Sequence, residues 1–426
     1  MAAKAQPAAS APHRKLSDYE GIVDPDILEE IYRLGKRLKG MRMLHVNSTK
    51  RGGGVAELLS SLLPLFNDVG LQADWQVITA PPEFFQVTKL FHNALQGLTA
   101  FVTPQMFELY LRVVEENVSR LNLDADVVVI HDYQPLTLVE HRSKQAAWIW
   151  RCHIDLSRSA SRVCLTRPEK SVWDLLSPYV AHYEEAIFSL TEFAQNLPVR
   201  QHIIPPSIDP LTEKNQELDA QYITEVYQKL GIPRDRKVFL QVSRFDRFKD
   251  PVGVIQAYQL FREKNRLNHS APTCLVLAGG GADDDPEGAL VLEEVRARSK
   301  GDPDIHILEL PPTAHLEINA LQRGADIIIQ KSTREGFGLV VTEALWKKKP
   351  VIASAAGGIK IQVLDGLTGF LVNSAEELAD RLEYLLQHPR VGERLGQNGY
   401  KHARQNFLIP RQLRDYLRVL SDRLHP

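Results

Sequence analysis

The chain has 426 residues, of which 44% are apolar and 24% are charged, and its formal net charge at pH 7 is -2. This length exceeds one ordinary domain and predicts two or three. The near-neutral charge argues against a nucleic-acid binder, whose surface is usually basic, and no apolar run has the length of a membrane-spanning helix. Cys152, Cys164 and Cys274 are odd in number and match no zinc spacing, which favours a reducing, cytoplasmic location.

The N-terminal segment is rich in Ala and Pro and lacks the apolar stretch of a secretion signal, so a disordered tail is predicted over 1–15. Beyond it, short apolar runs alternate with longer amphipathic stretches. The predicted strands are 41–46, 75–78, 127–130, 147–150, 186–190, 202–204, 238–242, 274–278, 305–310, 326–329, 350–353 and 369–372. Continuous apolar runs suit strands covered on both faces, and helices between them suit βαβ crossovers. The fold class is therefore α/β, with doubly wound parallel sheets.

A natural break lies at Pro205, Pro206 and Pro210, because three prolines so close together cannot continue a helix or strand interior. This break predicts two Rossmann-like domains that face a cleft. The first domain comprises 16–208 and the second 209–409, and a helical pattern follows at the end of the chain. Ligands of such folds bind at the carboxyl ends of the strands, so the cleft is the predicted site.

A glycine-rich segment follows the first predicted strand and opens a helix. Gly52, Gly53 and Gly54 are consecutive, which allows a sharp turn and a close approach of the backbone to a ligand. The free N–H groups of a helix start suit a phosphate. The segment is neither a Walker loop nor a clean GxGxxG, and a plain tight turn is the alternative.

Two cations follow the first strand of the second half. Arg244 and Lys249 both leave the carboxyl end of that strand and could face one anion. A diphosphate leaving group needs such a clamp, because negative charge grows on it as the bond breaks. A solvated basic loop is the alternative, and the position at a strand end favours the clamp.

A second glycine-rich segment contains Glu335 and Glu343, with seven residues between them. Gly336 and Gly338 free the backbone at a helix start, which places Glu335 over the cleft. Sugar hydroxyls and a ribose diol both bind a carboxylate acceptor. For a single Glu near a helix start, support of the helix dipole is the simpler interpretation, but a glycine-flanked pair at this spacing is much rarer.

These residues resemble the signature of retaining GT-B glycosyltransferases such as glycogen and sucrose synthases. In the first half, the stretches HVNSTKRGGGVAELL, EFFQVTKLFHNALQG, HDYQP and WRCHIDLS are similar to the trehalose glycosyltransferring synthases and to the related trehalose phosphorylases. The resemblance covers nearly the whole chain and implies the GT-B fold, in which the C-terminal helix, 410–426, returns to the first domain. Lys360 departs from it, because proline is expected at this position of the family.

The resemblance implies roles for the donor side. Arg244 and Lys249 would hold the diphosphate, Glu335 would bind hydroxyls of the transferred glucose, and Glu343 would bind the ribose. Arg244, Lys249 and Glu335 are therefore predicted to be catalytic. The further implied donor contacts are Gly53, Gly54, Gly336, Phe337, Gly338 and Leu339.

The resemblance also implies roles in the first half. His153 would lie beside the glucosyl group as a catalytic residue, and Asp132, Asp155 and Asn93 would form the acceptor side. For His153 alone a core histidine would be the better interpretation, but its place at a strand end beside Asp155, inside a matched stretch, favours the site. Trp148 and Trp150 are predicted to be core residues, and Cys152 a small buried one.

The implied reaction is a reversible synthesis of α,α-trehalose from a nucleotide diphosphate glucose and glucose, with front-face attack and retention. No cofactor and no metal is expected, and the partners are NDP-glucose, glucose and trehalose. Few cations besides Lys50, Arg51 and Arg151 lie near the first-domain strand ends, which favours free glucose over glucose 6-phosphate. The sequence leaves the oligomeric state open and is compatible with a homodimer.

Three alternatives stay open. The first is a trehalose phosphorylase that uses phosphate or glucose 1-phosphate, although such phosphorylases are considerably longer chains. The second is another acceptor, as in sucrose or glycogen synthesis. The third is a non-catalytic sensor of nucleotide sugars, which the intact set of Arg244, Lys249, Glu335 and Glu343 disfavours because a sensor has no need of a leaving-group clamp.

Overall fold

The computed structural model describes residues 14–50, 53–158, 171–265, 271–280 and 286–424. The tail predicted over 1–15 lies almost entirely outside the described residues, and so does Cys164. No helix in these described ranges is long and apolar enough to cross a membrane.

The first half forms one six-stranded parallel sheet with the strand order β2-β1-β3-β4-β5-β6. Its strands are β1 (Arg42–Asn47), β2 (Gln72–Val77), β3 (Val127–His131), β4 (Ala147–Arg151), β5 (Glu185–Phe188) and β6 (Arg200–Ile203). Its helices are α1 (Pro25–Arg37), α2 (Gly54–Asp68), α3 (Pro82–Leu95), α4 (Pro104–Val118) and α5 (Val172–Val180). Short 3₁₀ helices cover Leu16–Tyr19, Leu136–His141 and Thr191–Phe193.

The second half forms another six-stranded parallel sheet, with the order β12-β11-β10-β7-β8-β9. Its strands are β7 (Lys237–Val242), β8 (Thr273–Gly279), β9 (Ile305–Glu309), β10 (Ile327–Gln330), β11 (Val351–Ser354) and β12 (Phe370–Val372). Its helices are α6 (Ala220–Lys229), α7 (Pro251–Asn265), α8 (Pro286–Ser299), α9 (His315–Gly324), α10 (Leu339–Trp346), α11 (Ile359–Gln362), α12 (Ala375–Gln387) and α13 (Pro389–Asn406). A 3₁₀ turn covers Arg247–Lys249.

The last helix, α14 (Ile409–Leu424), returns to the first half and packs against α1 and α2. Leu413 and Leu417 of this helix are buried in the first-half core. The chain crosses between the halves twice, and the two crossings hydrogen-bond to each other. Ile208 N–H donates to the Phe407 carbonyl, and Ile409 N–H donates to the Ile208 carbonyl. The proline-rich break therefore sits beside the start of the returning helix.

All twelve predicted strands are present, and the two doubly wound parallel sheets confirm the predicted fold class. The largest offset is at β2, which begins three residues before the prediction because this edge strand is only partly buried and starts with polar residues. The predicted core positions Trp148 and Trp150 are buried, as is Cys152. Strand burial on both faces thus explains why apolar runs were the useful signal.

Candidate active site

The central feature of the cleft is an ion pair between two residues predicted to be catalytic. Lys249 Nζ lies 2.6 Å from Glu335 Oε2, and Ser332 Oγ donates to the same oxygen at 3.1 Å. Lys249 follows β7, and Ser332 and Glu335 follow β10, its neighbour in the sheet. Because both strands are parallel, their carboxyl ends bring these residues to one edge.

The turn after β7 is built by Asp246. Its carboxylate accepts the Phe248 N–H at 2.7 Å, which caps the 3₁₀ turn Arg247–Lys249, and it lies 3.4 Å from Arg244 Nη2. Gln241 Nε2 donates to the Lys249 carbonyl at 2.9 Å. Arg244 and Lys249 therefore extend from one stiff turn, with the Arg244 side chain 50% exposed.

The loop that carries Glu335 comes into contact with the first half. A methyl group added at Gly336 would lie only 2.7 Å from the carbonyl oxygen of His153, so the approach requires glycine. Gly338 has φ +85°, a left-handed conformation that favours glycine, and it precedes the first turn of α10. Phe337 is buried against the Phe407 ring, and this contact anchors the loop to the protein core.

Two helix N-termini meet across the cleft. Helix α2 begins at Gly54, directly after Gly53 with φ +80°, and α10 begins at Leu339. A methyl group added at Gly54 would lie 3.4 Å from Leu339 Cδ1. Each helix start presents N–H groups without intrahelical partners, together with the positive end of a helix dipole. The predicted donor-binding segments therefore converge on a place suited to an anion.

Glu343 has a partner within the protein for each of its two carboxylate oxygens. Its side chain is 1% exposed, lies 3.0 Å from Lys214 Nζ and accepts from Gln322 Nε2 at 3.2 Å. Burial opposes its ionisation, but the positive charges of Lys214 and Lys347 outweigh burial and hold the pKa of Glu343 below its ordinary value. A ribose that bound Glu343 would share this carboxylate with Lys214 and Gln322.

Lys214 is a functional candidate that the sequence interpretation missed. It lies in the polar stretch after Pro210. Its ammonium lies 3.0 Å from Glu343 of the second half and 3.2 Å from each carboxylate oxygen of Glu57 of α2, so it bridges the two. Both carboxylates raise the pKa of Lys214 against the effect of burial. A single cation thus joins the two halves beside the helix starts.

His153 lies just beyond β4 and is held from two sides. Its backbone N–H donates to Asp132 Oδ1 at 2.7 Å, and its Nε2 lies 2.9 Å from His131 Nδ1. Burial and the nearby Arg151 lower the pKa of His153 well below its ordinary value, so the ring is neutral. A neutral imidazole suits a hydrogen bond to a sugar hydroxyl.

Asp132 holds the backbone of His153 in place through the hydrogen bond to its carboxylate. It has φ +59°, its carbonyl accepts from Trp150 Nε1 at 2.8 Å, and burial raises the pKa of its carboxyl group to about 6. The structure therefore connects Asp132 directly with His153, on the side of the cleft where acceptor residues were predicted.

The other two predicted acceptor residues lie on separate segments. Asp155 is buried and accepts the Ser157 N–H at 2.8 Å, and its charge acts on Arg334 of the second half. Asn93 lies on α3, next to His92, whose ring packs 6.3 Å from Tyr133. Oδ1 of Asn93 is buried and accepts no hydrogen bond from the described residues.

Lys360, the departure from the family pattern, lies in the short helix α11. Its ammonium contacts both carboxylate oxygens of Glu192 at 3.1 Å, across the two halves and at the surface. Among the described residues no group of His, Cys, Asp and Glu has the arrangement of a metal site.

Two parallel-sheet domains with a cation, a carboxylate and paired helix starts at their facing edges define a GT-B glycosyltransferase. The family descriptions that match agree: "Trehalose synthase, N-terminal domain" over residues 45–195 and "Glycosyl transferases group 1" over 223–402. The trehalose synthase of Pyrococcus horikoshii is 43% identical over 417 residues, 97% of both chains. The chain belongs to the trehalose synthase family.

More distant proteins are similar to the chain in sequence or in fold. Trehalose phosphorylase of Grifola frondosa is 27% identical over 402 residues, which cover 85% of this chain and 54% of the phosphorylase. Trehalose-6-phosphate synthase OtsA matches 90% of this chain and 99% of its own, with a TM-score of 0.69 and 14% identity. The Anabaena protein Alr3699/HepE, solved in complex with UDP and glucose, matches 90% of this chain with a TM-score of 0.64 and 18% identity.

Proposed function

We propose that this protein is a retaining glucosyltransferase that forms α,α-trehalose reversibly from a nucleotide diphosphate glucose and free glucose. The observation that carries the proposal is the ion pair of Lys249 with Glu335 at the facing edge of the second sheet, beside His153. A cation and a carboxylate in contact are suited to one ligand that has an anionic diphosphate and a sugar rich in hydroxyl groups.

In this proposal the diphosphate of the donor lies at the starts of α2 and α10, where Gly53 and Gly54 leave room for it. Lys249 and Arg244 neutralise the charge that grows on the leaving phosphate. Two such cations supply several kcal/mol, on the order of one or two oxyanion donors in other enzymes. Glu335 accepts hydrogen bonds from hydroxyls of the glucosyl group, and His153 contacts this group from the first half.

Retention then needs no enzymic nucleophile. The diphosphate departs, an oxocarbenium-like centre forms, and the acceptor hydroxyl attacks on the face that the diphosphate leaves. A phosphate oxygen takes the proton of the acceptor hydroxyl, so the protein positions the groups and stabilises charge. Asp132, Asp155 and Asn93 shape the acceptor side, and no metal takes part.

Two comparisons support the synthase over the phosphorylase. The chain is 43% identical to a trehalose synthase along almost its whole length, but 27% identical to a trehalose phosphorylase of which it covers about half. A fold relative is described in complex with UDP and glucose. For a phosphorylase, inorganic phosphate would replace the nucleotide at the same cation pair.

The test is incubation of the pure protein with trehalose and, in separate reactions, UDP, ADP, GDP or inorganic phosphate. Release of glucose and a nucleotide glucose supports the proposal, and the anomeric configuration of that product by NMR tests retention. Activity with inorganic phosphate alone moves the assignment to a phosphorylase. No release in any reaction, with nucleotide binding intact, favours the sensor.

A further inference from the structure

Three histidines form a continuous hydrogen-bonded chain from the core of the first half to the cleft. His45 Nδ1 lies 2.9 Å from His131 Nε2, and His131 Nδ1 lies 2.9 Å from His153 Nε2. His45 belongs to β1 and His131 to β3, its neighbour in the sheet. His45 is 0% exposed, and His131 and His153 lie between it and the cleft.

All three rings are neutral. Burial lowers the pKa of His45 to about 3. Burial, the neighbouring histidines and the positive charge of Arg151 lower the pKa of His131 well below its ordinary value, and His153 behaves alike. A neutral imidazole carries one N–H and one lone pair. Both hydrogen bonds of the chain must therefore run in the same direction.

The two directions give His153 opposite properties. If the protons point towards the core, His153 donates from Nε2 and its Nδ1 is an acceptor. If they point towards the cleft, His45 Nδ1–H donates to His131, His131 Nδ1–H donates to His153 Nε2, and His153 carries its proton on Nδ1. His153 Nδ1 makes no hydrogen bond with the described residues, so this proton is available to a ligand.

The core end of the chain decides between these directions. His45 Nε2 is buried and makes no hydrogen bond among the described residues. Two nitrogens of Arg151, Nε and Nη1, are also buried without a hydrogen bond among the described residues. Arg151 lies on β4, opposite His131 in the register of the two strands. Arg151 can only donate, and a further buried N–H without an acceptor is costly. His45 Nε2 is therefore better as a lone pair, which puts its proton on Nδ1.

We propose that His45 and His131 are positioning residues that hold His153 with its proton on Nδ1, so that its ring donates a hydrogen bond to an oxygen of the glucosyl group. The contact with the glucosyl group rests on the proposed function, whereas the direction of the chain does not. A donor fixed in this orientation needs no reorganisation as charge develops on the glucosyl group, so its loss affects the transition state more than the bound donor sugar.

A matched pair of variants at His45 tests the chain without touching the cleft. The amide nitrogen of Asn takes the place of imidazole Nδ1, so His45→Asn keeps a donor to His131, whereas His45→Phe fills the space and donates nothing. We expect His45→Phe to lower kcat roughly tenfold, the effect of one misdirected hydrogen bond, with KM for the nucleotide sugar unchanged. His45→Asn should retain near-normal kcat. Equal kcat values for the two variants would overturn the proposal.

Nitrogen NMR of protein labelled with 15N-histidine gives an independent readout on the whole chain without substrate. Two-bond proton correlations report which ring nitrogen carries the proton, and a His153→Gln variant identifies the His153 signals. We expect protonated Nδ1 in the native protein and in His45→Asn, and loss of this single state in His45→Phe. Protonated Nε2 in the native protein would overturn the proposal even if trehalose forms. Protonated Nδ1 without glucosyl transfer would leave the chain supported and the proposed function wrong.

Discussion

The ammonium of Lys249 lies 2.6 Å from a carboxylate oxygen of Glu335, and the two residues come from neighbouring strands of the second sheet. Each restrains the other, because both side chains are largely buried at 18% and 10% exposure. In the proposed reaction a bound donor would insert between them and take over both contacts: the diphosphate would pair with Lys249 and a sugar hydroxyl with Glu335. The ion pair thus keeps the two groups in position before the donor arrives.

Replacement of Lys249 by Ala should lower turnover roughly a hundredfold, because a cation that stabilises the leaving phosphate is lost. Lys237→Ala is the matched control: this lysine begins the same strand, β7, and pairs with Asp326 at 2.9 Å at the opposite end. The control should keep normal turnover. Near-normal kcat for Lys249→Ala in the trehalose assay would show that the leaving group binds elsewhere.

Gly336→Ala tests the contact between the two halves. The added methyl group would lie 2.7 Å from the His153 carbonyl oxygen, so the halves must separate at the point where the glucosyl group is proposed to bind. A displacement of this size lowers turnover by roughly a hundredfold. Gly392→Ala on α13 adds a methyl group at an ordinary 3.6 Å from Pro350 and should leave kcat unchanged. Equal kcat for both variants would contradict the assigned contact.

The sequence predicted the twelve strands and assigned Lys249 and Glu335 to the same cleft, although it did not predict that they form an ion pair. Apolar runs mark strands buried on both faces, and the carboxyl ends of parallel strands share one edge. The sequence could not predict that Glu343 is buried against Lys214, because the partner lies far away in the chain, in a polar stretch that resembles a linker. Nor could it predict the histidine chain, since strand register decides whether His45 and His131 become neighbours.

Lys214→Met should destabilise the fold by about 3 kcal/mol, because a buried carboxylate loses its nearest counter-charge. Glu343 retains Gln322 and the charge of Lys347, which keeps the loss at the lower end of such cases. The double variant Lys214→Met/Glu343→Gln should regain most of this stability. Urea unfolding of the four proteins gives the coupling energy, and additive losses would exclude a direct interaction.

Lys347 should make the free energy of unfolding increase with pH. Burial lowers its pKa to about 7, although Glu343 acts in the opposite direction. Between about pH 7 and 10.5 the unfolded chain therefore binds more protons at this residue than the folded chain, so unfolding becomes harder as pH rises, by up to about 1.4 kcal/mol per pH unit.

Replacement of Lys347 by Met removes this contribution to the pH dependence of the free energy of unfolding. Because Lys347 also donates to Gln322 at 2.7 Å and to Asn215 at 3.1 Å, the variant has a different stability at every pH, and the informative quantity is the slope. Urea unfolding at pH 7, 8 and 9 should give a steeper rise for the native protein than for Lys347→Met. Parallel slopes would mean that Lys347 stays protonated throughout this range.

The acceptor should be free glucose rather than glucose 6-phosphate. Arg151, one of the few cations near the strand ends of the first sheet, is fully buried and donates to the Ile204 carbonyl at 2.8 Å, so it is unable to receive an acceptor phosphate. Another pair of cations, Arg158 and Arg334, interacts electrostatically across the cleft, and the negative charge of Asp155 acts against that of Arg158 at Arg334.

These two arginines make the acceptor test decisive. With a nucleotide diphosphate glucose as donor, kcat/KM for glucose should exceed that for glucose 6-phosphate by roughly a hundredfold, because a phosphate without a built clamp loses the charge-assisted hydrogen bonds that would offset its desolvation. Arg334→Ala should change kcat/KM for glucose by less than the Lys249→Ala replacement does. If glucose 6-phosphate is instead the better acceptor and Arg334→Ala abolishes that advantage, Arg158 and Arg334 form an acceptor phosphate site and the free-glucose assignment is wrong.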